Sequence, residues 1–281
     1  MALNLGGGSL SSGFSTLQLG NAQAMLTQSL MRLSSGQRIN SPSDDPGGLA
    51  VSMKLKHAAT VTEATKRNED NALSFTDTQD SALESVADVL DRMSTIQDRY
   101  GSGTATTTDK SAYASEFKEL QKQLNAFMSE TFNTMSLFST TSNSKSVYIS
   151  TSGNQGASIS ISSLNLSGAL SISGSINLGS AATTAAAITI SSISIADITS
   201  VINQVASLRA TSGATASRLQ FSSDFLDTSK TNLEAANSRI MDVDIAEEVT
   251  NYAKYNVQVY AASAALAQAN LNMGIVLDLL N

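Results

Sequence analysis

The 281-residue chain contains no cysteine and no tryptophan, one histidine and two prolines. Without thiols there is no disulfide, no thiolate metal site and no thiol nucleophile, while the compartment stays open. His57 alone cannot supply a two-histidine zinc site, and HExxH is absent. A Ser-His-Asp triad would have to use His57, which sits in VSMKLKHAAT, a helical context with no GxSxG-type motif nearby. It reads as an ordinary surface or interhelical histidine. Aromatics make up only 5 %, so the apolar content is mostly Ala, Leu, Ile, Val and Met. That composition suits thin helix–helix seams better than a deep globular core, and it offers little stacking surface for a sugar. Cations are also scarce, 17 against 24 acidic residues for a net charge of -7, and they are not clustered. A phosphate-tracking surface needs clustered cations, which argues against nucleic acid as a partner. No apolar run reaches membrane-spanning length, so membrane insertion is not expected. MALNLGGGSLSSGF lacks a basic region and a dense apolar core, so no cleaved signal peptide is expected and secretion would need another route.

The placement of charge says more than its total. Residues 1–31 carry none, residues 146–196 carry none, and from Tyr255 to Asn281 the only charge is Asp278. Chain termini are normally solvated, so uncharged ends look built to be covered. A terminal helical hairpin within one monomer is the simpler reading, and burial against other copies of the chain is the sharper one.

Helical periodicity supports such a pairing. Val249, Tyr252, Asn256, Val259, Ser263, Leu266, Asn270, Met273, Leu277 and Leu280 follow spacings of three and four, a heptad seam. Alanines on several faces permit close approach from more than one direction. At the other end Leu19, Ala22, Leu26, Ser29 and Leu33 form a stripe, widened by Met25 and Leu30, with residues 6–13 expected as a loose lead-in. Between the ends, Gln79, Leu83, Val86, Leu90 and Met93 line one helix, and Phe117, Leu120, Leu124 and Phe127 another. Leu219, Leu226, Leu233 and Ile240 recur every seven residues on a third. Val147 and Ile149, then Ile159 and Ile161, alternate with Ser or Tyr around TSGNQGA, a strand–turn–strand pattern. The Ser/Ala/Ile-rich stretch that follows reads as a small sheet excursion or an adaptable loop. The expected fold is mainly α: a long antiparallel helical bundle or coiled coil with paired N- and C-terminal helices, plus a small β-hairpin region.

The charges that remain gather at two joints. In RLSSGQRINSPSDDPGGLA, Arg32 to Ala50, Gly36 can end the first helix, and Asp45-Pro46 has the form of an N-cap followed by proline at the first helical position. Arg32 and Arg38 are close enough in sequence to meet Asp44 or Asp45 of the same or another copy. In SRIMDVDIAEE, Arg239, Asp242, Asp244, Glu247 and Glu248 stand before the C-terminal heptads, placed to face the first joint if the terminal helices are antiparallel neighbours. No catalytic constellation emerges. GGGSLSSG lacks the GxxxxGK[ST] of a phosphate loop, and Glu69, Asp70, Asp77 and Asp80 lack EF-hand spacing and read as a solvated helix face. No enzyme, cofactor or metal is expected.

Two long motifs carry a resemblance. RLSSGQRINSPSDDPGGLAVSMKL, with Arg38, Asn40, Asp44, Asp45 and Gly48, resembles the signature after the first helix of bacterial flagellin. NLEAANSRIMDVDIAEE through ALAQANLNMGIVLDLL, with Arg239, Asp242, Asp244, Ala267, Gln268 and Asn270, is similar to the flagellin C-terminus. TFNTMSLF, with Phe132 and Asn133, resembles the motif closing the second conserved helix. The resemblance implies a secreted, extracellular subunit that polymerises into the helical filament used in swimming, of minimal size. Its implied division is 1–35 with 249–281 as filament core, 36–50 as spoke, 51–165 with 198–248 as helical rod, and 166–197 as a short variable outer segment. Implied partners are other copies of the chain, filament cap and hook-associated proteins, and an export chaperone on the C-terminal helix. Arg92 matches an arginine of the family's innate-receptor helix, although RMSTIQD replaces the residues expected to follow. The hook-filament junction protein shares an RINSPSDDP-like stretch and similar length, and is the alternative.

Overall fold

A computed structural model describes residues 6–140, 144–150, 156–172, 176–178 and 189–278, with side chains omitted at 6–12, 176 and 273–278. In chain order the helices are α1 Gly6–Ser35, α2 Pro46–Gly101, α3 Thr107–Met128, the single turn α4 Leu166–Ala169, α5 Ile195–Met241 and α6 Ile245–Asp278. Among the described residues six short strands intervene: β1 Thr131–Phe132, β2 Met135–Ser136, β3 Ser144–Tyr148, β4 Ser158–Ser162, β5 Ser171–Ile172 and β6 Ile176–Asn177. The mainly α architecture with antiparallel strand pairs is the expected one. The chain divides into two compact units, Met1–Ala59 with Thr231–Asn281, and Thr60–Lys230.

The unit Thr60–Lys230 has a closed core. α2 and α5 run antiparallel, as Lys66 pairs with Asp227, Glu69 with Ser222 and Asp80 with Arg209. Leu83, Val86, Leu90 and Met93 of α2 are fully buried, as are Leu124 of α3 and Ile198 and Val201 of α5. Glu84, Asp88, Asp91 and Arg92 stay on the exposed side of α2, where Arg92 Nε donates to Glu116 of α3 at 2.8 Å. Capping sets two helix starts. Thr106 and Asp109 make a reciprocal capping box on α3, and Ser194 and Asp197 exchange equivalent bonds at α5, where Ser194 N–H meets the carboxylate at 2.9 Å. Those N–H and hydroxyl donors hold both carboxyls below their ordinary range.

The strand pairs close one side of this core. β1 and β2 turn through Asn133 (φ 46°) and Thr134 (φ 67°), the left-handed pair that a two-residue hairpin needs. Phe132 then meets Phe75 edge-on at 6.1 Å. β3 and β4 form the expected two strands, paired antiparallel with Val147 opposite Ile159. Gln79 is buried and donates to Leu137 O at 2.7 Å and Ser162 O at 3.3 Å, tying α2 to both hairpins. The stretch after β4 contains a third small pair, β5 with β6, while 179–188 lie outside the described residues.

Two expectations need correction here. Glu69 does not lie on a solvated face: it is buried against α5, and Asp80 is half-buried in a two-bond clasp with Arg209 at 2.9 and 3.0 Å. The loose lead-in is not found either, because α1 begins at Gly6. Glycine costs about 1 kcal/mol per helical position, but extending an existing helix avoids the larger cost of nucleation.

Candidate assembly surface

The unit Met1–Ala59 with Thr231–Asn281 is built around α1 lying antiparallel along α6. Ser29 Oγ donates to Glu248 O at 3.3 Å, and Arg32 pairs with Glu248 at 3.8 Å. Toward the other end, Phe14 and Gln18 share an open groove of about 750 Å³ with Tyr255, Gln258, Ala262 and Ala265. Ala22 and Ser29 are buried in the seam, and Leu19, Leu26 and Leu33 are half-buried beside them.

On α6 the observed stripe is Tyr252, Asn256, Val259, Ala262, Leu266 and Ala269, all half-buried. Val249, Ser263 and Asn270, expected in the seam, are instead exposed. Ala262 and Ala269, each one position before Ser263 and Asn270, stand on the half-buried stripe in their place. Met273 and Leu277 fall where side chains are omitted, and Leu280 lies outside the described residues.

Within the chain this pair covers only one side of each helix. Phe14, Leu17 and Tyr260 are 65 %, 68 % and 70 % exposed, and Leu30, Met31, Val257 and Leu271 are also exposed. Residues 13–31 of α1 and 255–272 of α6 bring no charged side chain to this surface. Scattered exposed apolar residues are ordinary on a protein surface, but so many along two paired stretches without a single charge are not. Phe14, Leu17, Val257, Tyr260 and Leu271 escaped the sequence reading because they sit off the heptad positions. The lack of charge on every face was the signal that could have found them.

The joint beside this pair is held mostly by backbone. Gly36 closes α1 at φ 70°, with its N–H bonded to Arg32 O at 2.8 Å. Gln37 and Asp242 form an antiparallel bridge, flanked by Arg38 N–H to Met241 O at 2.6 Å and Val243 N–H to Gly36 O at 3.1 Å. The two joints expected to face each other therefore do so. Within one chain, however, the arginines do not pair with Asp44 or Asp45: Arg32 reaches Glu248, and Arg38 Nη2 donates to Ile240 O at 2.9 Å.

Asp44 has a different task. Its Oδ2 accepts the Asn40 and Ser41 N–H groups, each at 3.0 Å, and its Oδ1 accepts Gln28 Nε2 at 2.8 Å. Those two backbone donors, with smaller help from Gln28 and Arg32, hold its carboxyl below the ordinary range. Asp45 stands before Pro46 at the start of α2, with Oδ1 accepting Gly48 N–H at 2.9 Å. Gly48 packs so closely on Asp45 and Ile39 that no side chain fits undisturbed. Asp244 caps α6 through Ala246 N–H at 2.9 Å, and Arg239 is exposed in the last turn of α5. The arrangement fixes the direction of chain entry into α2 and α6. Among the described residues no group of His, Asp or Glu side chains could hold a metal ion, and no helix is long and apolar enough to cross a membrane.

This covered-ended, jointed helix pair has known relatives. The family model described as the bacterial flagellin N-terminal helical region matches residues 14–143, and that of the bacterial flagellin C-terminal helical region matches 195–280. The chain belongs to the bacterial flagellin family. A flagellin of Halalkalibacterium halodurans is 30 % identical over 254 residues, covering 90 % of this chain and 91 % of the relative. Flagellin of Bacillus subtilis is 30 % identical, with coverages of 90 % and 92 %. The flagellar filament 33 kDa core protein of Treponema phagedenis is 27 % identical, covering 96 % of this chain and 98 % of its own. Relatives matched over nine-tenths or more of their own length make this a family member of minimal size. Among solved structures, a Vibrio parahaemolyticus chain described as a flagellar hook-associated protein shares the fold. It has TM-score 0.60 at 17 % identity and covers 71 % of this chain and all of its own.

Proposed function

We infer that the chain is the structural subunit of an extracellular flagellar filament and that it works by self-assembly rather than catalysis. One observation carries the reading: α1 and α6 pair yet leave large apolar side chains exposed on the single chain along stretches that carry no charge. A second copy of the same surface, in a heterologous contact that does not close, extends into a helical polymer. Leu19, Leu26, Leu30 and Leu33 of α1, with Tyr252, Val259 and Leu266 of α6 and Met273, Leu277 and Leu280 beyond, form the assembly seam. Burying each large apolar side chain fully contributes roughly 1.5–3 kcal/mol.

In this reading 1–35 with 249–281 make the filament core, 36–50 the spoke, 51–165 with 198–248 the rod, and 166–197 a short outer segment. Arg32, Arg38, Asn40, Asp44, Asp45, Pro46, Arg239, Asp242 and Asp244 set the spoke's geometry. The antiparallel α1/α6 packing and the Gln37–Asp242 bridge support that division. An export chaperone covers the C-terminal helix in the cell, and cap and hook-associated proteins bind the filament ends.

Negative-stain electron microscopy of purified monomer, seeded or salted out, beside a chain lacking 249–281, tests the reading. Long uniform filaments from the full chain and none from the truncation are expected. Monomers or short rings from the full chain under seeding would overturn it in favour of a junction protein.

A further inference from the structure

Glu69 of α2 is 1 % exposed. Its Oε1 accepts the Ser222 hydroxyl of α5 at 2.8 Å, and its Oε2 is buried without a hydrogen-bond partner. Among the described residues no cation pairs with it. On α2, Lys66 one turn earlier is engaged by Asp227, and Asp70 alongside adds negative charge. On α5, the charged residues within a turn of Ser222 are Arg218, which is exposed, and Asp224, which accepts from the Gln220 amide; neither bonds Glu69. Leu219 and Leu226, flanking Ser222 on α5, are buried.

A carboxylate in this setting has lost its water and gained one hydroxyl donor in return. Ionising it there is costly, whereas the neutral acid fits. We propose that Glu69 is a proton-operated weak point in the α2–α5 pairing: the neutral acid packs between the helices, and loss of its proton loosens them. Burial raises the carboxyl above its ordinary value, Ser222 opposes that, and Asp70 adds to it. The sign follows from proton linkage. Below the ordinary carboxyl value both folded and unfolded chains hold the proton, and the site contributes nothing to pH dependence. Above it the unfolded chain releases a proton that the folded chain retains, so stability falls as pH rises until the folded carboxyl itself ionises. The proposal stands on the folded monomer and does not depend on polymerisation.

Thermal unfolding of full-length monomer and of Glu69→Gln, followed by circular dichroism from about pH 4 to about pH 9, tests it. Glutamine copies the shape of the neutral acid without titrating, and the pH response of every other carboxylate cancels between the two proteins. The curves should coincide at the acid end and separate above it, with the variant melting at least about 2 °C higher near pH 8. Parallel curves across the range would overturn the proposal. Infrared spectroscopy should find a protonated-carboxyl carbonyl band in the parent protein that persists above the ordinary carboxyl range and is missing from Glu69→Gln, and a parent with no band above that range would also overturn it. If the glutamine variant fails to fold, Ser222→Ala serves instead. Removing the single donor should carry the band to higher pH, and an unmoved band would contradict the proposal.

Discussion

The two units of this chain bury their apolar residues to very different degrees. In Thr60–Lys230, leucines such as Leu83 and Leu90 are enclosed by three helices and two hairpins. In Met1–Ala59 with Thr231–Asn281, the best-placed leucines of α1, Leu19, Leu26 and Leu33, are only half-buried. The heptad Leu219, Leu226, Leu233, Ile240 makes the contrast along one helix: its first two members are buried in the first unit, and its last two are half-covered in the second. One unit is complete as a monomer. The other leaves apolar side chains exposed, and the proposed assembly would bury them.

Substitutions can break that comparison, and the largest effect is expected at the enclosed leucines. Leu90→Ala should lower monomer stability by about 2–5 kcal/mol, because it leaves a cavity in a packed core. Leu26→Ala should cost the monomer much less but raise the critical concentration for polymerisation about tenfold, through area buried only on assembly. Chemical denaturation and pelleting assays separate the two. Equal monomer losses would erase the distinction.

Gly48→Ala comes next. Its Cβ would sit 2.9 Å from Asp45 Cγ and 2.9 Å from Ile39 Cδ1, disturbing the cap of α2. A loss of about 1–2 kcal/mol in denaturation of the monomer is expected.

Asp44 gives a smaller, pH-dependent effect. Its carboxyl is held low mainly by the Asn40 and Ser41 amides, so its contribution is present above its ordinary value of 3.8 and lost as pH falls through the lowered folded value. Asp44→Asn should cost about 1 kcal/mol at neutral pH, and the difference from the parent should vanish on acidification. Melting curves at both pH values check this. The smallest effect is a gain: Gly213 lies inside α5 with open space where a Cβ would go, so Gly213→Ala should stabilise the monomer by roughly 0.5–1 kcal/mol.

Much of this organisation was legible in the sequence, for identifiable reasons. Leu83, Val86, Leu90 and Met93 declare a core face because their spacing matches the helix and their neighbours are charged. Asp45-Pro46 declares a helix start through backbone chemistry that is local to three residues. The two strands β3 and β4 are carried by simple alternation. What stayed hidden depends on distant partners. Glu69 reads as solvated because nothing local says that Ser222, far along the chain, will cover it. Arg32 has two nearby aspartates in sequence but meets Glu248, because the helix pairing brings that residue closer. The shift from Ser263 to Ala262 depends on where α1 lies along α6, which the spacing within α6 alone does not contain.

Backbone amide exchange on the monomer and on the assembled filament, resolved by segment, tests the central claim most directly. Exchange in the Leu83–Ile96 and Ile198–Val205 segments should be slow in both states. In Phe14–Leu33 and Val249–Leu271 it should be fast in a verified monomer and become slow on polymerisation. Terminal helices already as protected as the core in the monomer, or unchanged by assembly, would contradict the account.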